Sequence, residues 1–331
     1  MNYIGSKLSL IDFLVDSIDS VTGFANDDYI FADLFAGTGV VGYTFREKGC
    51  RVISNDIQYY SYVLNKHYVE NANLIDDGFS YFFNSLDGVD GFVYENYCFG
   101  SGCERNYFSD YNGRKCDAIR LAIETMYVNN EITEGQYFWF LASLINSIDK
   151  YANTASVYGA FLKHIKSSAA KSFHLELLPI VNGKKGKVYN EDVNQVIRRI
   201  EGDVLYLDPP YNARQYCANY HVLETISRYD NPILNGKTGL REYNGQKSYY
   251  CSKRTVEKSF DDLIANAKFK YIFLSYNNEG LMSFDTIKHI MEQYGKYEVF
   301  TKEYHRFRAD KNENRKHKAD STVEYLHCLI K

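Results

Sequence analysis

An apolar run, Val204-Leu205-Tyr206-Leu207, stops at Asp208-Pro209-Pro210-Tyr211, and no other stretch narrows the possible folds so far. A short apolar run of this kind reads as a buried strand. Two successive prolines fix φ and remove two backbone donors, so the strand has to end in a tight, rigid turn. The turn leaves a carboxylate and an aromatic ring at the carboxyl edge of a sheet, where open α/β folds bind ligands. Such a pair suits an exocyclic amino group on a flat base. The carboxylate and a backbone carbonyl accept its hydrogens, and the ring stacks on its face.

The remaining elements supply the sheet. Residues 29–33 read as a first strand, Gly37 and Gly39 as the turn after it, 40–48 as a helix and 51–54 as a second strand ending at Asn55-Asp56. That order is a βαβ unit. Helical patterning follows over 61–71. Further along, 188–190, 203–207 and 271–275 read as strands, and 192–200, 256–267 and 284–294 as helices. Residues 297–302 and 323–330 read as two closing strands with no helix between them, hence a terminal antiparallel hairpin. The alternation predicts an α/β fold with a doubly wound, Rossmann-like sheet. Two segments interrupt it. Residues 76–185 carry apolar helical runs at 117–129 and 135–148 and read as a mainly helical insertion. Residues 212–253 are polar, Tyr-rich and punctuated by Gly, and read as a smaller inserted loop region.

A chain of 331 residues with 45% apolar content is one large domain or two smaller ones. Aromatic content is 16%, with 31 Tyr and 21 Phe, a surplus that serves packing and also suits stacking on bases. A net charge of −4 excludes a uniformly basic nucleic-acid binder, so any such contact rests on local patches. The seven cysteines, Cys50, Cys98, Cys103, Cys116, Cys217, Cys251 and Cys328, are odd in number and lack a C-x-x-C pair. That argues against a disulfide framework and a zinc site, so reduced thiols in a cytoplasmic protein without a metal are expected. No basic leader with an apolar run opens the chain, and no stretch approaches the roughly 20 apolar residues that span a bilayer. Membrane association is not expected.

Asp33-Leu34-Phe35-Ala36-Gly37-Thr38-Gly39 places a G-x-G directly after a strand. The glycines permit a tight turn and close approach of a ligand. Counting Gly42 completes G-x-G-x-x-G, which keeps a dinucleotide open; an ordinary strand-to-helix turn is the plainer alternative. Asp56 stands at the end of the second strand, where an acid accepts both ribose hydroxyls, although Asp also favours turns and caps in such places. A pyrophosphate prefers positive charge and helix N-terminal amides. This turn begins with Asp33 instead, which repels phosphate and attracts an ammonium group. S-adenosylmethionine has an amino group and a ribose and no phosphate, so it fits better than NAD.

With DLFAGTG and DPPY in this order, the sequence resembles the adenine-N6 DNA methyltransferases of the Dam-like D12 class, in the α arrangement of motifs. Tyr3-Ile4-Gly5-Ser6-Lys7 is similar to that family's opening motif, and 271–278 and Glu324-Tyr325-Leu326-His327 carry weaker similarity. The resemblance implies a methyltransferase sheet built from 1–75 and 186–331, with 76–185 as the candidate target-recognition region. It implies transfer of a methyl group from S-adenosylmethionine to the N6 of an adenine flipped out of double-stranded DNA. Tyr3, Lys7, Asp33, Phe35, Gly37, Gly39, Asp56, Asp192 and Asp208 are implied to surround the cofactor. Lys7 would approach it, and Asp192, in Tyr189-Asn190-Glu191-Asp192, would lie near its adenine; a helix N-cap is the alternative for Asp192. Asp208, Pro209, Pro210 and Tyr211 are implied to carry catalysis. Asp208 and the Pro209 carbonyl would accept the two N6 hydrogens, and Tyr211 would stack on the base. The resemblance implies either the modification enzyme of a restriction-modification system, with a restriction endonuclease as partner, or an orphan methylase, and a monomer or weak dimer is expected. An RNA adenine methyltransferase and a catalytically silent DNA-binding protein stay open.

Three clusters are candidate DNA contacts. Arg105, Arg114 and Lys115 lie in the helical insertion. Arg241, Lys247, Tyr249, Lys253 and Arg254 follow the DPPY turn, and Lys311, Arg315, Lys316 and Lys318 form a charged run between the last two strands. A solvated loop is the alternative for that last run.

Overall fold

The computed structural model describes residues 5–23, 29–72, 74, 78–305 and 321–331. Tyr3 and the run holding Lys311, Arg315, Lys316 and Lys318 lie outside the described residues.

The strands are β1 (Ile30–Asp33), β2 (Arg51–Asn55), β3 (Lys187–Tyr189), β4 (Glu201–Leu207), β5 (Leu234–Asn235), β6 (Leu240–Arg241), β7 (Lys268–Asn277), β8 (Lys296–His305) and β9 (Ser321–Ile330). Seven of them form one sheet in the order β3-β2-β1-β4-β7-β9-β8, and β5 and β6 pair separately. β1 runs parallel to both its neighbours, with Phe31 opposite Val52 on one side and Val204 on the other. β3 and β7 extend the parallel set. β9 is antiparallel to β7 and to β8 and lies between them. The expected terminal hairpin is therefore present, and its second strand is the one that joins the sheet. An antiparallel strand in that slot brings its amino-terminal end to the edge where the parallel strands have their carboxyl ends.

The strands alternate as period two requires. Phe31, Val52, Val204 and Tyr206 pack on one face with Leu10, Leu14, Ile18, Val41 and Phe45. Ala32, Leu205 and Leu207 face the other way, against Val256, Phe260, Leu263, Ile287 and Met291. The helices that carry these residues, Ile11–Thr22, Val40–Glu47, Val256–Asn266 and Phe284–Glu292, thus cover the sheet on both sides. Of these, Ile11–Thr22 has no counterpart among the helices read from sequence.

A third core lies in the helical layer, where Tyr97, Ile119, Trp139, Leu144, Ile148, Leu223 and Ile226 are all buried. Its long helices are Asp110–Val128 and Glu134–Lys150. The first begins earlier than its apolar pattern does, because the Ser109 hydroxyl accepts from the Asn112 amide and caps it. The second opens with a reciprocal capping box between Thr133 and Gln136. Helix Tyr59–Asn65 packs into the same core, as does His221–Arg228, whose residues 221–227 are buried. The polar loop read at 212–253 thus contains a buried helix. Its amphipathic run is too short to stand out from its polar flanks.

Candidate active site

Strand order reverses between β1 and β4, and a crevice of this kind sits outside the carboxyl ends of such strands. A cleft of about 360 Å³ lies there. The turn after β1, the end of β2, the start of the helix after β3 and the DPPY turn after β4 all line it.

Asp33, the last residue of β1, is 1% exposed, and its Oδ1 meets no partner among the described residues. Burial pushes its carboxyl up to about 8, and the negative charge of Asp208 adds to that rise. Gly37 and Gly39 carry φ of +50° and +81°. A Cβ on Gly39 would also press on Asn65 Oδ1 at 3.1 Å. Asp56 Oδ2 accepts from the Gly37 amide at 2.9 Å and Oδ1 from the Gln58 amide at 2.9 Å, which locks the two turns together. Burial raises the Asp56 carboxyl, and those amides oppose the rise. Asp192 lines the cleft and also caps helix Val193–Val196 through the Asn194 amide. Phe35 meets Tyr250 edge-on, with centroids 4.9 Å apart.

The far end of the cleft holds a denser polar cluster. Lys7 Nζ lies 3.1 Å from Asp208 Oδ1 and 3.0 Å from Glu324 Oε1. It also donates to the Tyr211 hydroxyl at 2.6 Å. That hydroxyl is 2.8 Å from Asp208 Oδ1 and 2.7 Å from Glu324 Oε1. Ser275 Oγ donates to Glu324 Oε1 at 2.7 Å. Burial alone would lower the Lys7 ammonium, but Asp208 and Glu324 carry it upward. Burial raises the Asp208 carboxyl to about 6; Lys7 works against that rise and Glu324 adds to it.

Two expectations change here. Lys7 lines the cleft as expected, but its ammonium is engaged by Asp208 and Glu324. Tyr211 turns its hydroxyl inward, and its ring lies 4.8 Å from that of Tyr276. The hydroxyl thus anchors the ring that was expected to act only as a stacking platform. Glu324 and Ser275 lie in the two segments of weaker similarity, 324–327 and 271–278, but neither was expected to be a site residue. Only the antiparallel slot of β9 brings Glu324 to this edge, and no local pattern announces that slot.

Residues 244–251 build one wall. Ser248 and Tyr250 line the cleft. Gln215 and the Ser248 backbone exchange two hydrogen bonds, at 2.8 and 3.2 Å, and Gln58 donates to the Gln246 carbonyl at 3.2 Å. Pro209 and Pro210 also line the cleft.

The basic candidates divide. Lys115 is 4% exposed and donates to the Asn84 and Leu86 carbonyls. Arg241 is 8% exposed and bidentate on Asp230. Both are corrected to internal ties, because a buried cation already committed to internal acceptors cannot reach a phosphate. Arg105 donates to the Asn96, Gly236 and Lys237 carbonyls, and Arg114 pairs with Asp90 over the Tyr94 ring. Lys247, Tyr249, Lys253 and Arg254 are exposed beside the wall that Ser248 and Tyr250 form. Among the described residues no cluster of His, Cys, Asp and Glu could hold a metal, and no helix is long and apolar enough to cross a membrane.

The model of the D12 class N6 adenine-specific DNA methyltransferase family matches residues 3–290. The chain is 53% identical to the Type II methyltransferase M.NlaIII of Neisseria lactamica, over 100% of this chain and 99% of that protein. It is 36% identical to the Type II methyltransferase M.CviAII of Paramecium bursaria Chlorella virus 1, over 93% of each. It is 37% identical to the Type II methyltransferase M.FokI of Planomicrobium okeanokoites, of which it spans 53%.

Proposed function

This chain belongs to the D12 class of N6 adenine-specific DNA methyltransferases, and we propose that Asp208 and the Pro209 carbonyl hold the N6 of a flipped adenine for methyl attack. The observation that carries the proposal is the placement of Asp208. It closes β4, lines the same cleft as Asp33 and Asp56, and keeps 17% of its side chain exposed.

The cleft fits S-adenosylmethionine, which supplies a methyl group on a sulfonium. Asp33 presents a buried acceptor, Oδ1, without a partner among the described residues and suited to an ammonium. Asp56 is held rigidly by two amides and keeps lone pairs for ribose hydroxyls. Asp192 and Phe35 flank the position where a base would lie. Lys7 is the one cation among the described lining residues, so the site favours a positively charged ligand over a phosphate.

The amino lone pair of adenine is delocalised into the ring, so N6 is a poor nucleophile. Two acceptors placed on its hydrogens favour a pyramidal nitrogen with the lone pair directed outward. Positioning of this kind supplies much of the rate. Ionised Asp208 also stabilises the positive charge that develops on N6. Tyr211, anchored through its hydroxyl, offers its ring as the stacking face. A stacked base inside a duplex cannot reach such a cleft, so the target leaves the helix. Lys247, Tyr249, Lys253 and Arg254, at the rim, are the proposed contacts to the strand around it.

The names of the relatives support a modification role, with a restriction endonuclease of the same specificity as the partner. Tritiated methyl transfer to duplex DNA, followed by modified-base sequencing, tests the reading. N6-methyladenine at one sequence context is the expected product. Label on RNA alone, or on no nucleic acid, would overturn it.

A further inference from the structure

We infer that Glu324, with Ser275, is a positioning residue that tethers Lys7 and Tyr211 against Asp208. The inference rests on the proposed role of Asp208 as acceptor of the N6 hydrogens.

Glu324 reaches the site from the first turn of pairing in β9, opposite Asn277 of β7. It is fully buried. Its Oε1 receives Lys7 at 3.0 Å, the Tyr211 hydroxyl at 2.7 Å and the Ser275 hydroxyl at 2.7 Å. Its Oε2 is buried and has no partner among the described residues. A buried carboxylate left half-satisfied is a poor structural device, since an apolar residue of similar volume serves a core as well or better. Its contacts all lead instead to Lys7, to Tyr211 and through them to Asp208.

Two consequences follow from this geometry. The first concerns hydrogen bonds. Tyr211 has a single hydroxyl proton and two carboxylate acceptors within reach. While it points at Asp208 Oδ1, it occupies the acceptor that the adenine amino group needs. Glu324 Oε1, at 2.7 Å, takes that proton without moving the ring. Base entry then costs Tyr211 no hydrogen bond. The second concerns charge. Asp208 is faced by Lys7 from the N-terminal turn, Asp33 from β1 and Tyr206 from β4. Tyr211 and Tyr216 face it from beyond the turn, and Glu324 from β9, held by Ser275 of β7. Lys7 is the lone cation of that set and is shared between two acids. Glu324 therefore both repels the Asp208 charge and draws away part of its partner.

The pH dependence of kcat on duplex DNA, at saturating cofactor, tests the inference with Glu324→Gln and with Asp208→Asn as the control. In the wild type the acid limb falls near the raised value of Asp208, about 6. In Glu324→Gln the limb should move to lower pH by about one unit, because one charge is removed and Lys7 is released to Asp208. The KM for cofactor should stay within about twofold of wild type, since the acid acts through Lys7 and Tyr211. An unmoved limb with a lowered melting temperature would make Glu324 merely structural and overturn the inference. If Glu324→Gln does not fold, Lys7→Gln/Glu324→Gln is compared with Lys7→Gln: removing the second acid should bring the limb back down, and equal limbs overturn the inference. An active Asp208→Asn protein, by contrast, overturns the underlying role of Asp208, whatever Glu324 does.

Discussion

Asp117 in the helical layer and Asp208 at the sheet edge are both driven up to about 6 by burial, but their surroundings differ. Asp117 is fully buried. Its Oδ1 accepts from the Val93 amide at 2.9 Å and the Tyr229 hydroxyl at 2.6 Å, and its Oδ2 accepts from the Tyr94 amide at 2.8 Å. It satisfies the first amides of helix Phe92–Tyr97, whose own N-cap is a glycine. Neither oxygen is without a partner, and three donors fix the group in place. Asp208 faces an ammonium, a hydroxyl and the open cleft, and its neighbours Asp33 and Glu324 each keep an oxygen without a described partner. Unfilled acceptor capacity, rather than a raised carboxyl, separates the acids that bind from the acid that builds.

The comparison breaks first at Asp208. Asp208→Ala should lower methyl transfer by on the order of 10³ or more, the scale of losing a positioned charge at the reacting atom. Its melting temperature should stay near that of the wild type. Asp117→Asn should do the reverse. Its amide nitrogen would face a backbone N–H, so folding should weaken by about 2–4 kcal/mol. The kcat of the folded fraction should be unchanged, which denaturant titration and active-site counting together would establish. A stable Asp117→Asn protein with impaired catalysis would erase the distinction.

The sign of the pH dependence sharpens it further. Burial holds Asp33 and Asp208 at about 8 and about 6 in the folded protein, above the ordinary carboxylate value of 3.8. Their contribution to stability is therefore complete below about 4 and is lost as pH rises through 6 and then 8. Activity should move the other way, rising through about 6 as Asp208 ionises. An ammonium-bearing ligand prefers Asp33 ionised, so cofactor affinity should strengthen as pH climbs toward 8, and the melting shift produced by cofactor should be larger at pH 8.5 than at 6.5. Asp33→Asn should weaken binding by roughly tenfold, about the worth of one charge-assisted hydrogen bond. It should also flatten that pH dependence. Calorimetric titration across this range reads both effects.

Most of the sheet was legible because its signal is local. Val204 to Leu207 alternates between two cores as a covered strand does, and Asp208-Pro209-Pro210 ends it where the structure ends it. Asp33, Gly37 and Asp56 were legible for the same reason: a strand end, a tight turn and a second strand end converge in any βαβ unit. Glu324 was not. It lies 317 positions from Lys7, and what joins them is the slot β9 takes between β7 and β8. Lys115 and Arg241 misled in the opposite direction. Interleaved basic and aromatic residues look like a nucleic-acid surface, but long aliphatic stems also let cations reach inward to carbonyls and carboxylates. Composition does not separate the two uses; partners and exposure do.

That last distinction gives the smallest expected effect. Lys253 and Arg254 are exposed, a few positions along the chain from the cleft-lining Tyr250, and no hydrogen bond or ion pair of their charged groups is described. If they contact phosphates, Lys253→Gln and Arg254→Gln should each reduce the slope of log affinity against log salt by about 1. Melting temperatures should be unchanged. Arg241→Gln and Lys115→Met should leave the slope alone and lower stability, because they cut a bidentate tie to Asp230 and a tie to two carbonyls. Arg105 falls between the groups: three carbonyls hold it, yet some of those bonds are exposed. A slope change in Arg105→Gln without loss of stability would move that residue to the DNA-facing set. It would also show that internal hydrogen bonds, which mark the buried Lys115 and Arg241 as ties, are a weaker guide for exposed cations than for buried ones.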